Sequence, residues 1–428
     1  MRASWLATLT ACALTAAATD AGAVVVSEDP LAGESFEVGA ALRSYELVLS
    51  GGPLVGPFAT PGANPAALSL VSVRPKLELR RQSFEVIVHD ELTSSASTLP
   101  LGELGGALPI ADGARTPSFL PLDWSAIDHV SFSLYDRLDW LYARFTAGAF
   151  AFTVGRQPLT LGRGKLWTPE DLLAPFRPLA LNTEYKPGVD AARLDWSLGD
   201  GASLLLLGSL GTTTQRSFHA DRTGSAALVR GELALGRLRL GAQGGLVHGD
   251  TVGALDFFVD LPHGADLHGV GTLALVGDAA RRPYARRGFT RALLGGSFEP
   301  LAHVLATAEL YYSGSGGRAP DDYWAGFESA RFSSGESPNV GRLYAGLACA
   351  WQAHALLAVN GSLLSNLEDG SFLLGPGLDY SLAQNTQIMA GALVAFGRGV
   401  RARDGAPEAG SEFGSYPDVY HFDIKLYF

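Results

Sequence analysis

Every second residue of the closing stretch Tyr420-His421-Phe422-Asp423-Ile424-Lys425-Leu426-Tyr427-Phe428 is apolar, and the residues between are polar, charged or tyrosine. An extended chain with that period shows one apolar face and one wet face. The pattern recurs upstream. Val71, Val73, Leu77 and Leu79 alternate with Arg74, Lys76, Glu78 and Arg80; after an Arg81-Gln82-Ser83 turn, Phe84, Val86 and Val88 alternate with Glu85, His89 and Glu91. Leu141, Ala143 and Phe145 alternate with Tyr142, Arg144 and Thr146, and Gly148 turns the chain into Phe150, Phe152 and Val154. Ala192, Leu194, Trp196 and Leu198 alternate with Arg193, Asp195 and Ser197, and Gly199-Asp200-Gly201 leads into 202–210. Residues 35–49 read as a first strand whose apolar phase shifts near Arg43.

The connections alternate in length, which a single hairpin cannot show. Short turns fall at Gly236-Arg237, Pro262-His263-Gly264, Glu299-Pro300, Gln352-Ala353 and Ala383-Gln384-Asn385. Longer joints fall at 51–67, 92–137, 158–187, 211–224, 248–252, 277–287, 313–338, 365–370 and 397–416. A soluble sheet with one wet face explains any one hairpin. Short turns on one rim and long loops on the other fit a transmembrane barrel. The expected fold is all-β, an antiparallel transmembrane β-barrel of about 18 strands, with 16 to 20 allowed by boundary drift.

Composition and charge agree with that class. Met1-Arg2, the apolar run Trp5 to Ala18 and Ala21-Gly22-Ala23 read as a secretory signal peptide over 1–23, leaving 24–428 as one barrel domain. Beyond that leader no apolar run reaches the roughly 20 residues of a spanning helix. Cys349 is then the only cysteine, so packing and hydrogen bonds must hold the fold. The net charge of −11 argues against nucleic acid as a partner.

The alternation at Tyr420, Phe422, Ile424, Leu426 and Phe428 resembles the assembly signal of Gram-negative outer-membrane β-barrels. That resemblance implies an outer-membrane location, contact with outer-membrane lipid and lipopolysaccharide, and recognition by the barrel-assembly machinery. A second resemblance is local. Leu141 to Phe145, Val154-Gly155-Arg156-Gln157, Gly162-Arg163-Gly164, Trp167 to Leu172, Ala174-Pro175-Phe176 and Tyr185 to Ala191 are similar to the Gly-Arg-Gln hairpin and loop of porin-like barrels, including the alginate-export family. It implies a passive channel for anionic or sugar-like solutes.

The loop at 158–187 has its own chemistry. Arg163, Lys165 and Arg177 share it with Glu170, Asp171 and the large apolar Trp167, Leu172, Leu173 and Phe176, which need a surface to bury against. Two arrangements satisfy them. Either the loop folds into the barrel and narrows the lumen, with Arg144, Arg156, Arg163, Lys165, Glu170, Asp171, Arg177 and Arg193 at the constriction, or it is an ordered external loop packed on its neighbours. By parity, if Val73, Phe145, Leu194, Val229, Leu240, Leu294, Leu343 and Leu426 face lipid, then Arg74, Lys76, Glu78, Arg230, Glu232, Arg239, Arg342, Asp423 and Lys425 line the lumen. Glu85, Asp195, Arg291, Glu309 and Asp379 do so too. Such a mixed wall serves either as structural cross-strand pairs or as an ionic ladder for solute.

Catalysis has no clustered equipment here. The histidines are scattered, His263 and His268 being the one close pair in an apparent Gly-rich turn, and neither H-E-x-x-H nor a Cys/His metal cluster occurs. The expectation is a non-enzymatic channel for small hydrophilic solutes with no cofactor and no metal. The alternative is a non-conducting structural or adhesive barrel acting through its extracellular loops.

Overall fold

The computed structural model describes residues 24–29, 33–50, 65–100, 116–178, 180–181, 183–212, 218–278, 281–403 and 406–428. The expected leader at 1–23 and most of the 51–67 connection lie outside them.

In chain order the strands are β1 (Val24–Asp29), β2 (Glu34–Ser50), β3 (Ala66–Arg81), β4 (Phe84–Ser97), β5 (Asp123–His129), β6 (Phe132–Ala147) and β7 (Phe150–Pro158). Next come β8 (Gly188–Ser197), β9 (Ala202–Ser209), β10 (Ala226–Leu235), β11 (Leu238–Val247), β12 (Asp250–Asp260), β13 (Asp266–Leu275), β14 (Gly288–Leu301) and β15 (Val304–Ser313). The last are β16 (Leu343–His354), β17 (Leu357–Asn366), β18 (Phe372–Ala383), β19 (Thr386–Phe396), β20 (Arg401–Arg403), β21 (Ala406–Glu408) and β22 (Asp418–Tyr427). Helices α1 (Pro320–Phe327) and α2 (Ala330–Ser333) lie in the connection between β15 and β16.

The chain is an 18-strand antiparallel closed β-barrel. Its staves are β2 to β4, β6 to β19 and β22, each paired with the next, and β22 returns to β2 from Tyr427 opposite Ala41 to Asp418 opposite Ser50. Closure leaves no stave with an unpaired edge, which hydrocarbon would penalise by several kcal/mol per amide, roughly. Beside the staves, β1 pairs with the first residues of β2, β5 with the start of β6, and β20 with β21.

Register puts the two faces where parity requires. Phe145, Phe152, Leu194, Leu206 and Val229 stand side by side across five staves, one residue from the row Arg144, Thr153, Arg193, Leu207 and Leu228. Val73, Phe145, Val229, Leu240, Leu294 and Leu343 are exposed on the outside, and Leu194 is half-buried. On β22, Tyr420 and Phe422 are exposed on that face, whereas Ile424 and Leu426 are buried.

Several boundaries differ from the pattern reading. The reversal expected at Glu299-Pro300 falls instead at Ala302-His303, where His303 takes a φ of 66°. The pairing of β14 with β15 skips between Phe298 and Leu301, so Pro300 occupies an irregular position where its missing N–H costs no ladder bond. The turn placed at Gln352-Ala353 likewise lies at Ala355-Leu356, behind a register shift between Gln352 and His354. The joint at 248–252 is only His248-Gly249, and the connection read as 92–137 shrinks to 98–131 with β5 inside it. The apparent phase shift at Arg43 is no register change, because β2 pairs continuously with β3 and β22. Leu47 and Leu49 instead turn inward and pack with Ala66, Leu68, Leu99, Leu393 and Val419, so the lumen itself becomes apolar toward the long-loop rim.

Candidate functional site

The connection between β7 and β8 leaves the wall and bonds to inward-facing residues of distant staves. Its first turn is apolar: Leu159, Leu161, Leu173 and Ala174 are buried on Val189, Ala191, Leu205, Leu207, Ala226 and Leu228 of β8 to β10. Arg163 then pairs with Asp256 of β12, and with Glu232 of β10 at 3.1 Å. Lys165 Nζ donates to Asp266 of β13 at 2.5 Å and to Ser297 of β14 at 2.7 Å. The backbone N–H groups of Lys165, Leu166 and Trp167 donate to the Glu309 carboxylate of β15 at 2.6, 3.1 and 3.1 Å.

Trp167 is the hydrophobic anchor of this crossing. Its ring stacks on Tyr311 at 5.4 Å between centroids, and its Nε1 donates to Asn339 Oδ1 at 2.9 Å. Gly346 of β16 makes the space, since a Cβ there would lie 2.5 Å from Leu166 Cδ1 and 2.6 Å from Trp167 Cζ3. Further along, Arg43 of β2 donates to the Leu181 carbonyl at 2.9 Å. One loop therefore touches β2, β3, β6, β8 to β16 and β22.

Two acids in this loop are buried. Glu170 accepts from the Arg163 N–H at 2.7 Å, while Oε2 has no hydrogen-bond partner. Burial, with Asp256 and Asp171 nearby, pushes its carboxyl up to about 7. Asp171 pairs with Lys186, and burial raises it against that partner. Arg177 donates to the Phe332 carbonyl at 3.2 Å and lies over the Phe332 ring; burial without a carboxylate lowers its pKa.

The remaining residues singled out in the sequence divide by whether a carboxylate meets them. Arg156 is buried on Asp190 at 2.7 Å and Asp123 at 2.9 Å. Arg74 meets Asp139 at 2.8 Å and Glu91 at 3.0 Å, Arg230 meets Asp256 at 2.8 Å, and Arg193 meets Asp195 at 2.6 Å. Glu78 meets Arg80 at 2.5 Å and His89 at 3.0 Å. Arg239 meets Asp260 at 2.8 Å, Asp423 meets Arg43 at 3.2 Å, and Lys425 meets Glu184 at 3.6 Å. Among the described residues Lys76, Arg144 and Arg177 enter no ion pair; Lys76 donates to the Tyr185 hydroxyl. Arg342 precedes β16 and donates to the Gly316 carbonyl at 2.9 Å, so it belongs to the long-loop rim rather than to the wall.

That rim is tied down separately. Glu412 is fully buried and accepts from Asn339 Nδ2 and Asn366 Nδ2 at 3.0 and 2.8 Å, the Val340 N–H at 3.1 Å and the Tyr344 hydroxyl. Glu336 meets Arg281 at 2.9 Å, Arg291 at 3.0 Å and Arg331; these cations hold its carboxyl down at about 2. Tyr323, Phe327, Phe332, Phe413 and Tyr416 pack there in one cluster with Trp167.

The alternation sets Glu309 on the lumen side, but it leaves Asp266 unmarked and places His268 in a turn. His268 stands on β13, not in a turn, with Nδ1 at 2.8 Å from Asp266 and Nε2 at 2.9 Å from Glu309. Its place in the alternation Asp266, His268, Val270 was the signal available.

No protein-family model matches the chain, and no curated protein matches it in sequence. Solved structures do match in shape. OccAB1 of Acinetobacter baumannii is 11% identical with a TM-score of 0.54, covering 92% of this chain and 96% of that one. The BenF-like porin of Pseudomonas fluorescens Pf-5 is 10% identical with a TM-score of 0.54, covering 92% and 98%. Pseudomonas aeruginosa OpdK, solved with vanillate, is 11% identical with a TM-score of 0.51, covering 91% and 98%. The fold is thus that of porin-like outer-membrane β-barrels.

Proposed function

We propose that this chain is an outer-membrane channel through which small hydrophilic solutes diffuse, and that the connection at 158–187 forms its constriction. The observation that carries the reading is the crossing: one loop, in a barrel with an apolar outer face, bonds to inward carboxylates on β12, β13 and β15. A wide barrel is otherwise an open aqueous hole, and a loop laid across it sets the passage. No residue needs a catalytic role in this account.

Anionic solutes are the favoured class within it. Most cations named from sequence are neutralised by wall carboxylates, so Lys76, Arg144 and Arg177 are those left to meet a solute anion. The vanillate in the OpdK structure supports small carboxylates as probes. Sized neutral sugars test the sugar-like class implied by the Gly-Arg-Gln hairpin. Liposome swelling with both sets decides: faster swelling than protein-free vesicles supports the channel. No swelling with any probe favours the loop-mediated adhesive barrel, which the packed rim around Glu412 would suit.

A further inference from the structure

Glu309 and His268 lie where the crossing loop meets the wall, and neither is exposed to solvent. Three successive backbone N–H groups of the loop tip converge on the Glu309 carboxylate, so one wall side chain holds the amides of Lys165, Leu166 and Trp167 together. The imidazole beside it touches carboxylate oxygens with both nitrogens, at 2.8 and 2.9 Å. A neutral ring has one N–H and would set a lone pair against one of those oxygens; the imidazolium satisfies both. Gly295, paired between His268 and Glu309, leaves the gap they bridge: a Cβ there would lie 2.8 Å from His268 Nε2 and 2.5 Å from Glu309 Cγ.

We propose that Glu309 is the positioning residue of the constriction and that the His268 imidazolium is the proton-dependent part of its hold: the loop tip is seated while the ring is charged and loosens when the ring loses its proton. Every charged group facing the ring takes part. Asp266 lies on its own strand; from β12 the Phe258 ring stacks on it, with the Arg239 guanidinium over that ring. β14 contributes neutral Gly295 and Ser297, β15 contributes Glu309 and Thr307, and the loop contributes Lys165. When the ring is neutral, Asp266 still has the Lys165 ammonium, whereas Glu309 loses the only cation touching it among the described residues. The seated state binds a proton that the loosened state binds less tightly, so raising pH favours release.

The test uses the full chain, purified in detergent and reconstituted, with two substitutions of opposite character. His268→Gln removes the charge, while His268→Lys keeps a cation that does not titrate near neutrality. Hydrogen exchange at the amides of Lys165, Leu166 and Trp167, corrected for intrinsic rate, is expected to be about tenfold faster in wild type at alkaline pH than near pH 6. His268→Gln is expected to exchange fast at both pH values, and His268→Lys to exchange more slowly than wild type at alkaline pH, keeping only the smaller rise that deprotonation of Glu170 brings. Unitary conductance in planar bilayers should follow the same order, rising with loosening. A merely structural histidine would make both variants loosen alike, and that outcome, or exchange in wild type that ignores pH, overturns the proposal. This inference rests on the channel reading only for its conductance arm: a wild-type protein that never conducts ends that reading, and the exchange data still decide the role of His268.

Discussion

The crossing loop and the long-loop rim are both anchored through buried carboxylates, yet their chemistry is opposite. At the rim, Glu336 is surrounded by Arg281, Arg291 and Arg331, and its carboxyl sits at about 2. In the loop, Glu170 is buried with an unpartnered oxygen near Asp256 and Asp171, and its carboxyl sits at about 7. Three cations make a clasp that stays charged at ordinary pH. Burial without a cation makes a contact that prefers its proton. The rim contact thus keeps its charge over the ordinary pH range, whereas the loop contact changes charge near neutrality.

The largest expected effect follows from breaking the clasp. Glu336→Ala leaves three guanidinium groups crowded together without their anion, which should cost about 3 to 5 kcal/mol. Protease cleavage within 314–342, read on intact reconstituted protein, should become rapid, and resistance equal to wild type would refute the clasp. Gly346→Val comes next. Its side chain collides with Leu166 and Trp167, and overpacking of that kind costs roughly 1 to 3 kcal/mol. It should unseat Trp167, seen as a red-shifted and more quenchable tryptophan fluorescence, with the rim still resistant to protease.

The pH responses sharpen the contrast. Glu170 has its pKa raised from 4.5 to about 7, so its contribution to loop seating is full below the lower value and is lost as pH rises through about 7. Glu336 has its pKa lowered from 4.5 to about 2, so its contribution is full above 4.5 and is lost as pH falls toward about 2. Protease resistance of the rim should therefore fail in acid, while exchange in the loop should speed up toward alkali. Identical pH trends in both regions would contradict the account. The smallest structural effect is expected at Arg239→Ala, whose pairing with Asp260 is half exposed and worth under about 1 kcal/mol. Arg144→Ala should leave melting unchanged as well, but lower anion over cation permeability measured as a reversal potential.

How much of this was written locally in the chain depends on the range of each interaction. Alternation such as Val73 beside Arg74 is legible because each side chain meets either the apolar outside or the wet lumen, whatever its partner. The rule fails where the lumen is filled: Leu47 and Leu49 read as a change of phase because nothing local says that they meet Leu68, Leu99 and Val419 inside. Turns were misplaced where positive φ is carried by His303 while Pro300 marks a bulge, since proline is the stronger local sign. The loop's mixture of Arg163, Lys165, Glu170 and Trp167 signalled that it needed partners. Which partners it finds is a matter of closure, because Lys165 and Glu309 are 144 positions apart and meet only once the intervening staves are in register.

The most direct test of the central claim is unitary conductance in planar bilayers, for the full chain and for a variant with residues 161–176 replaced by a short glycine-serine linker. Stepwise currents are expected in the full chain and steps several-fold larger in the variant, with β-sheet circular dichroism unchanged between the two. No steps from the intact protein, or steps of unchanged size after the loop is removed, would contradict it.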